Sequence, residues 1–256
     1  MPLLVDYHIH TLGHDSFHQS DEELALYCQT ALSRGLKEIG FAEHDYYRPH
    51  FDPERFRLQA KRFPRLVVRV GVEVDYVPGR EAEIRAFLRE WPFDFVIGSV
   101  HQVDGFSFDV DTNIPQYADW ETTDLFRRYY ACVAQAAASG LFDIIGHLDL
   151  IKIFNFVPPQ DAINLALPAL AAIADAGLCI ELNTNGRHKP AHDFYPTQAL
   201  LEECSRLGIP LTLGSDAHRP QDAGRDIHLA ATLAWRAGYR KIAIFSNRRR
   251  FLVPLG

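Results

Sequence analysis

Apolar residues along this chain follow two alternating rhythms. Short runs rich in Val, Ile, Leu and Phe mark strands: Leu3 to Val5 leading into Asp6-Tyr7-His8-Ile9-His10-Thr11, Lys37 to Glu43, Val68 to Val74, Asp94 to Val100, Asp143 to Gly146, Cys179 to Leu182, Leu211 to Ser215 and Lys241 to Phe245. Between them, apolar residues recur at helical spacing. Ser20-Asp21-Glu22-Glu23 fits a capping box, and Leu24, Cys28, Ala31 and Leu32 then form one face. Further helices are expected near Arg80 to Arg89, over Thr123 to Ser139, over Pro159 to Ala176 with a bend at Pro168, over Thr197 to Leu207, and around Ile227 to Ala237. Helix-Gly-strand joints recur at Gly35, Gly140, Gly177, Gly208 and Gly238.

About eight strands alternating with helices predict a parallel sheet, and parallel strands in that number commonly close into a barrel. The expectation is an α/β fold, a single distorted TIM-like barrel of seven or eight β/α units. A doubly wound open sheet is the alternative. No linker rich in Pro, Gly or Ser interrupts the pattern, so residues 1–256 read as one domain. The connection from His101 to about Thr122 is long and aromatic, with Phe106, Phe108, Tyr117 and Trp120. Such connections are usually functional, and a lid over the site is expected there.

Composition narrows the class. At 256 residues, 47% hydrophobic and with net charge −7, the chain can build a sizeable core and shows no electrostatic footprint for nucleic acid. Arg248-Arg249-Arg250 reads as a solvated C-terminal turn. Cys28, Cys132, Cys179 and Cys204 form no C-x-x-C and read as buried free thiols. With no leader pattern and no membrane-length apolar run, a cytoplasmic protein without membrane contact is expected. Oligomeric state is not readable.

The chemistry lies where the strands end. His8 and His10, two apart on one strand, project together. His44, Glu73, His101, His147, Asp216 and His218 end later strands, and in a parallel barrel the C-terminal strand ends build the active site. Any one histidine could be an ordinary core residue; histidines and carboxylates at so many ends point to metal. A zinc ion usually takes four ligands, so this set suggests two or three ions sharing a carboxylate. Glu73 is the natural bridge.

The motif set H-x-H, E-H, G-x-E, G-S-V-H, G-H-x-D and S-D-A-H, in that order, resembles the PHP (polymerase and histidinol phosphatase) superfamily of metal-dependent phosphoesterases. Within it the sequence is most similar to the monofunctional histidinol-phosphate phosphatases, through Tyr76-Val77-Pro78-Gly79, Pro92-Phe93-Asp94, Ile97-Gly98-Ser99-Val100-His101, Gly146-His147-Leu148-Asp149 and Gly214-Ser215-Asp216-Ala217-His218-Arg219-Pro220. The resemblance implies one metal on His8, His10, Glu73 and Asp216, and a second on Glu73, His101 and His147. It implies a third on His44, His218 and a loop histidine, for which His14 is preferred to His18.

The implied reaction is hydrolysis of L-histidinol phosphate, a step of histidine biosynthesis, by a metal-bridging hydroxide attacking phosphorus in line. Lowering the pKa of water from 15.7 to about 7 makes hydroxide available by roughly 12 kcal/mol. Glu73, Asp216 and His218 are the expected catalytic residues, with Asp216 or a metal-bound water protonating the leaving group. Arg219, Arg187, Lys189 and Asn183 are the expected substrate contacts, since cations at strand ends suit phosphate. Asp104, Phe106 and Phe108 are candidates for a wall against the ammonium and imidazole of the substrate. Zinc, manganese and iron all suit such a ligand set.

Other readings remain. An amidohydrolase commonly has a bridging lysine where this chain has His101. A protein-tyrosine phosphatase of the same superfamily needs a more open mouth. The acidic balance disfavours a DNA exonuclease. A non-catalytic PHP module usually loses ligands that this chain keeps.

Overall fold

The structure, a computed structural model, describes residues 3–12, 20–158 and 162–255. In chain order it runs β1 (Val5–Ile9), α1 (Asp21–Ser33), β2 (Glu38–His44), α2 (Pro53–Arg62), β3 (Val67–Asp75), α3 (Glu81–Phe87), β4 (Phe95–Ser99), β5 (Gln102–Val103), β6 (Phe106–Ser107), α4 (Thr122–Ala138), β7 (Ile144–Ile145), α5 (Ala162–Asp175), β8 (Cys179–Asn183), α6 (Gln198–Arg206), β9 (Leu211–Gly214), α7 (Ile227–Arg236), β10 (Lys241–Ser246) and β11 (Arg249–Pro254). α1 starts where the capping box places it: Ser20 Oγ accepts from Glu23 N at 3.0 Å. A stretch of 3-10 helix, Asp45–His50, and α2 fill a region for which the hydrophobic pattern predicts no element.

Seven parallel strands form one sheet in the order β1-β2-β3-β4-β7-β8-β9. The sheet nearly closes on itself. Ile9 and Ala217 form a single bridge across the seam, with His10 N donating to Ala217 O at 2.8 Å. Asp6 reinforces that seam, accepting from Ser215 N, Ser215 Oγ and Gly224 N. The fold is therefore the expected distorted TIM-like barrel.

The eighth strand departs from the expectation. β10 pairs antiparallel with β11 instead of joining the parallel ladder, and Phe245 N donates to Tyr7 Oη at 2.8 Å under the barrel. The basic triplet is accordingly no free solvated turn. Arg248 binds Asp143 and donates to Leu141 O, while Arg249 and Arg250 belong to β11. A strand that swings under the barrel needs its turn held, and Asp94 does this by accepting from Asn247 N with Oδ1.

The barrel floor is filled by aromatic side chains that glycines admit. Phe95 lies over Gly40 and Gly71, where an added Cβ would meet its ring at 2.5 and 2.3 Å. Tyr7 packs edge-on against Phe95 at 4.8 Å, and both are fully buried. A register shift in β1 between Asp6 and Ile9 inserts one residue relative to β2. A bulge of this kind re-aims side chains. Tyr7 can therefore plug the floor while the next residue, His8, turns towards Glu73.

The expected lid is a wall. β5 and β6 form a small hairpin and Asp111–Asp119 a 3-10 stretch; Phe106, Phe108 and Tyr117 are buried, and Tyr117 Oη donates to Phe108 O at 2.8 Å. Apolar rings at this density bury themselves rather than hinge over solvent. Among the described residues no helix is long and apolar enough to cross a membrane.

Candidate metal centre

At the C-terminal mouth of the barrel the strands bring together His8, His10, His44, Glu73, His101, His147, Asp216 and His218, as the sequence leads one to expect. β1 carries His8 and leads into His10, β2 ends on His44, and β3 presents Glu73 opposite His44 in the ladder. His101, His147 and Asp216 to His218 follow β4, β7 and β9 directly. His14 and His18 lie outside the described residues.

Glu73 stands at the centre, and its two oxygens face different partners. Oε2 lies 3.3 Å from both His8 Nε2 and His10 Nε2 and 2.9 Å from His44 Nδ1. Oε1 lies 2.9 Å from His147 Nε2 and 3.6 Å from His101 Nε2, and accepts from Ser99 Oγ at 2.6 Å. Asp216 Oδ1 sits 3.5 Å from His10 Nε2 and 3.9 Å from His8 Nε2. Three groups have ligand atoms within 4.8 Å of one another: His8, His10 and Asp216; His8, Glu73 and His147; and His10, His44 and His218.

Charge is balanced within the cluster. Burial disfavours the imidazolium of His8, but Glu181, Glu73 and Asp216 outweigh it and hold that group well above its ordinary 6.5. Burial likewise opposes His101, which Asp75 and Glu73 then raise. Glu73 resists burial through His8 and His44, and its carboxyl lies well below the usual range; His8 and His10 do the same for Asp216. His10 is driven the other way, by burial and by the neighbouring His44 and His218.

Do these residues fit a metal? His8 Nε2 and His10 Nε2 are buried without a hydrogen-bond partner. Unpaired buried polar atoms are costly, and here they point at carboxylate oxygens that converge from other strands. Imidazole nitrogen with carboxylate oxygen is a donor set that suits zinc and its neighbours. The site fits divalent cations.

The cluster opens into a cleft of about 580 Å³. Arg219, Lys189 and Arg225 line it together with Asp75, Asp109 and Asp222. Not all the expected contacts reach it. Arg187 pairs with Asp226 at 2.8 Å and lies over the Phe194 ring, and Asn183 is fully buried with its amide on Glu181 and Asp216. Asp104 is exposed on Arg128, and Phe106 and Phe108 are core residues. Loop side chains satisfy themselves on whichever partner tertiary folding supplies, which spacing along the chain does not reveal.

Several residues at the site are given no role by the sequence alone. Asp75 binds His101 Nδ1, and Arg225, bonded to Asp222 and Asn185, supplies a cleft cation. Tyr46 stacks on His44 at 4.7 Å. Glu43 accepts from Thr11 N, Thr11 Oγ1 and Leu12 N, fixing the turn after His10. Asp75 falls two residues after Glu73 on the same strand face, a spacing that could have singled it out.

A parallel barrel whose mouth gathers imidazoles and carboxylates around a deep polar cleft is the architecture of a metal-dependent hydrolase. The PHP domain family matches residues 6–185, and the chain belongs to that family. The chain is similar to a probable histidinol-phosphatase of Deinococcus radiodurans, 37% identical over 238 residues, covering 86% of this chain and 88% of the relative. It is also similar to a histidinol-phosphatase of Lactococcus lactis, at 30% identity over 96% of this chain and 95% of the relative. A crystal structure of histidinol phosphate phosphatase from Lactococcus lactis, complexed with zinc, L-histidinol and phosphate, superposes with a TM-score of 0.82 at 27% identity. The match covers 97% of this chain and 98% of that one.

Proposed function

We propose that this chain is a metal-dependent phosphatase that hydrolyses L-histidinol phosphate to L-histidinol and phosphate. The observation that carries the reading is Glu73, whose two oxygens divide between His8, His10 and His44 on one side and His147 and His101 on the other. A carboxylate so placed suits two cations at once. The activity of the named relatives and the bound molecules of the Lactococcus protein support the substrate.

Two or three divalent ions would be held. His8, His10, Glu73 and Asp216 would take one, and Glu73, His101 and His147 a second. His44 and His218 would take a third with His14 or His18, and the stacking of His44 and His218 on His10 at 4.3 and 4.5 Å supports their grouping. Zinc is the favoured ion, with manganese and iron compatible. Such ions, when bound, lower the pKa of water and neutralise phosphoryl oxygens.

The chain's own residues do the rest. Asn183 and Asn185 donate to Asp216 Oδ2 at 3.3 and 3.2 Å, which holds Asp216 as the carboxylate with Oδ1 turned to the cluster, so that of the two expected proton donors to the leaving group a water, and not Asp216, would serve. His218 Nδ1 is held by Asp216 O at 2.9 Å, which aims its ring at the cleft. Arg219 and Lys189 face the phosphate side, where a guanidinium can bind two phosphoryl oxygens. Asp109, which lines the cleft where Asp104 does not, would offer a carboxylate to the substrate ammonium.

Residues 1–256 work as one catalytic domain, since β10, beyond the family match, seals the barrel under Tyr7. The acidic net charge favours a small phosphoester over nucleic acid as partner, and a cytoplasmic setting accords with four buried free cysteines. The test is hydrolysis of L-histidinol phosphate beside p-nitrophenyl phosphate and a phosphotyrosine peptide, using protein stripped of metal and reloaded with zinc, manganese or iron. A higher kcat/KM for L-histidinol phosphate is expected. Equal values for all three would remove the substrate while leaving a phosphatase, and no turnover in any loaded form would remove the catalysis.

A further inference from the structure

β8 supplies no ligand to the cluster, yet two of its side chains, Glu181 and Asn183, hold the ligands of three other strands. Glu181 Oε1 lies 2.8 Å from His8 Nδ1, and Oε2 accepts from His147 N at 3.0 Å and from Asn183 Nδ2 at 3.2 Å. Asn183 Nδ2 reaches on to Asp216 Oδ2 at 3.3 Å. Both residues are 0–1% exposed. We infer that Glu181, relayed by Asn183, is the positioning residue of the metal centre: it fixes the tautomer and ring angle of His8 and the placement of His147 and Asp216. This rests on the metal-centre reading above.

The physical case begins with the cost of a buried carboxylate. A charge in the interior persists only where donors satisfy it. Glu181 has three, and none comes from Lys or Arg. When His8 donates Nδ1–H to Oε1, the nitrogen that gives up its proton to an incoming cation is Nε2, which faces Glu73 and Asp216. An imidazole free to choose the other tautomer would spend part of its time with a proton in that place. A carboxylate behind a histidine also raises its basicity as a ligand.

The backbone is cut to admit this side chain. A Cβ on Gly214 would sit 1.8 Å from Glu181 Oε1 and 2.8 Å from His8 Cβ. Gly214, which opens the G-S-D-A-H motif, therefore serves Glu181 rather than the ligands that follow it. In the ladder Glu181 pairs with Thr212 and Asn183 with Gly214, so β8 meets the strand that delivers Asp216 in fixed register.

The experiment is zinc competition against a chromophoric chelator, on metal-stripped protein, for wild type, Glu181→Ala, Glu181→Gln and Asn183→Ala. Thermal melting of the stripped proteins serves as the folding control. Glu181→Ala is expected to lower zinc affinity ~10–100-fold. Glu181→Gln should fall between it and wild type, because an amide oxygen still accepts from Nδ1–H. Asn183→Ala should lose less, since Asn185 also holds Asp216. 1H–15N spectra of the zinc-loaded protein should show a downfield, hydrogen-bonded Nδ1–H for His8 in wild type and lose that shift in Glu181→Ala. Wild-type zinc affinity and a wild-type Nδ1–H shift in folded Glu181→Ala and Glu181→Gln would overturn the inference; if the alanine variant does not fold, the glutamine variant decides. Failure of wild type itself to take up zinc would instead strike the metal-centre reading.

Discussion

The floor and the rim of the cleft are built in different ways. On the floor, His8, Glu73 and Glu181 lie within hydrogen-bonded strands, and His44 closes the register between β2 and β3. On the rim, Arg187, Lys189, Arg219 and Arg225 sit on the connections after β8 and β9, where Arg187 is taken up by Asp226 and Arg225 by Asp222 and Asn185. A strand position fixes side-chain direction through the ladder, whereas a loop cation goes to whichever acid the fold brings near. The floor is thus preorganised to hold cations, and the rim can be changed with little effect on them.

Three measurements test that division. The largest effect is expected from Glu73→Gln, which removes the charge shared by both sides of the floor. It should cost at least two ions together and several kcal/mol of charge stabilisation, lowering kcat ~10³-fold or more. Metal analysis beside kinetics checks it, and full retention of metal would remove the bridge.

Next in size is a pH effect on the floor. In metal-stripped protein the pKa values of His8, His44 and His101 are raised, each against burial and through neighbouring carboxylates, so their protonation stabilises the fold below 6.5 and is lost as pH rises through the raised values. Glu73 and Asp216 are depressed; their contribution is present above about pH 4.5 and is lost as pH falls through the depressed values. From these five groups the stripped protein gains most between about pH 4.5 and 6.5, with His10, depressed by burial and by His44 and His218, opposing that gain below 6.5. The gap in Tm between zinc-loaded and stripped protein should widen from pH 6 to pH 8, also because protons no longer compete for the imidazoles. A gap independent of pH would mean that these histidines and zinc do not compete for the same lone pairs.

The smallest effects belong to the rim. Arg219→Ala should raise KM for the phosphoester ~10–150-fold, the equivalent of one charged hydrogen bond of about 1.5–3 kcal/mol, with zinc content unchanged. Arg187→Ala should change KM less than ~3-fold, because Arg187 is taken up by Asp226 and does not line the cleft. Steady-state kinetics on both variants decides, and the reverse order would show that Arg187 leaves Asp226 to meet substrate.

Much of the floor is legible before folding. His8, His10, His44, Glu73, His101, His147, Asp216 and His218 each close or follow an apolar run, and period-two alternation tells which side they take. The helices capped by Ser20 and stopped at Gly35 or Gly140 are equally plain, since caps and left-handed glycines act within a few residues. α2 was not legible: Pro53–Arg62 is strongly polar, with few apolar residues to set a period. Nor was the fate of Phe106 and Phe108, whose burial depends on Tyr117 and the 3-10 stretch that follow.

What the sequence determines on its own is therefore local and periodic: the alternation of strand and helix, the inward face of each strand, and the residue types that end it. The tertiary structure alone decided that β10 would turn away from the ladder and plug the barrel, that Glu181 would stand behind His8, and that Arg187 would be taken by Asp226. The physical reason is range. Backbone hydrogen bonds and side-chain alternation act between near neighbours in the chain, while Glu181 and His8 are 173 residues apart and meet only because the sheet closes.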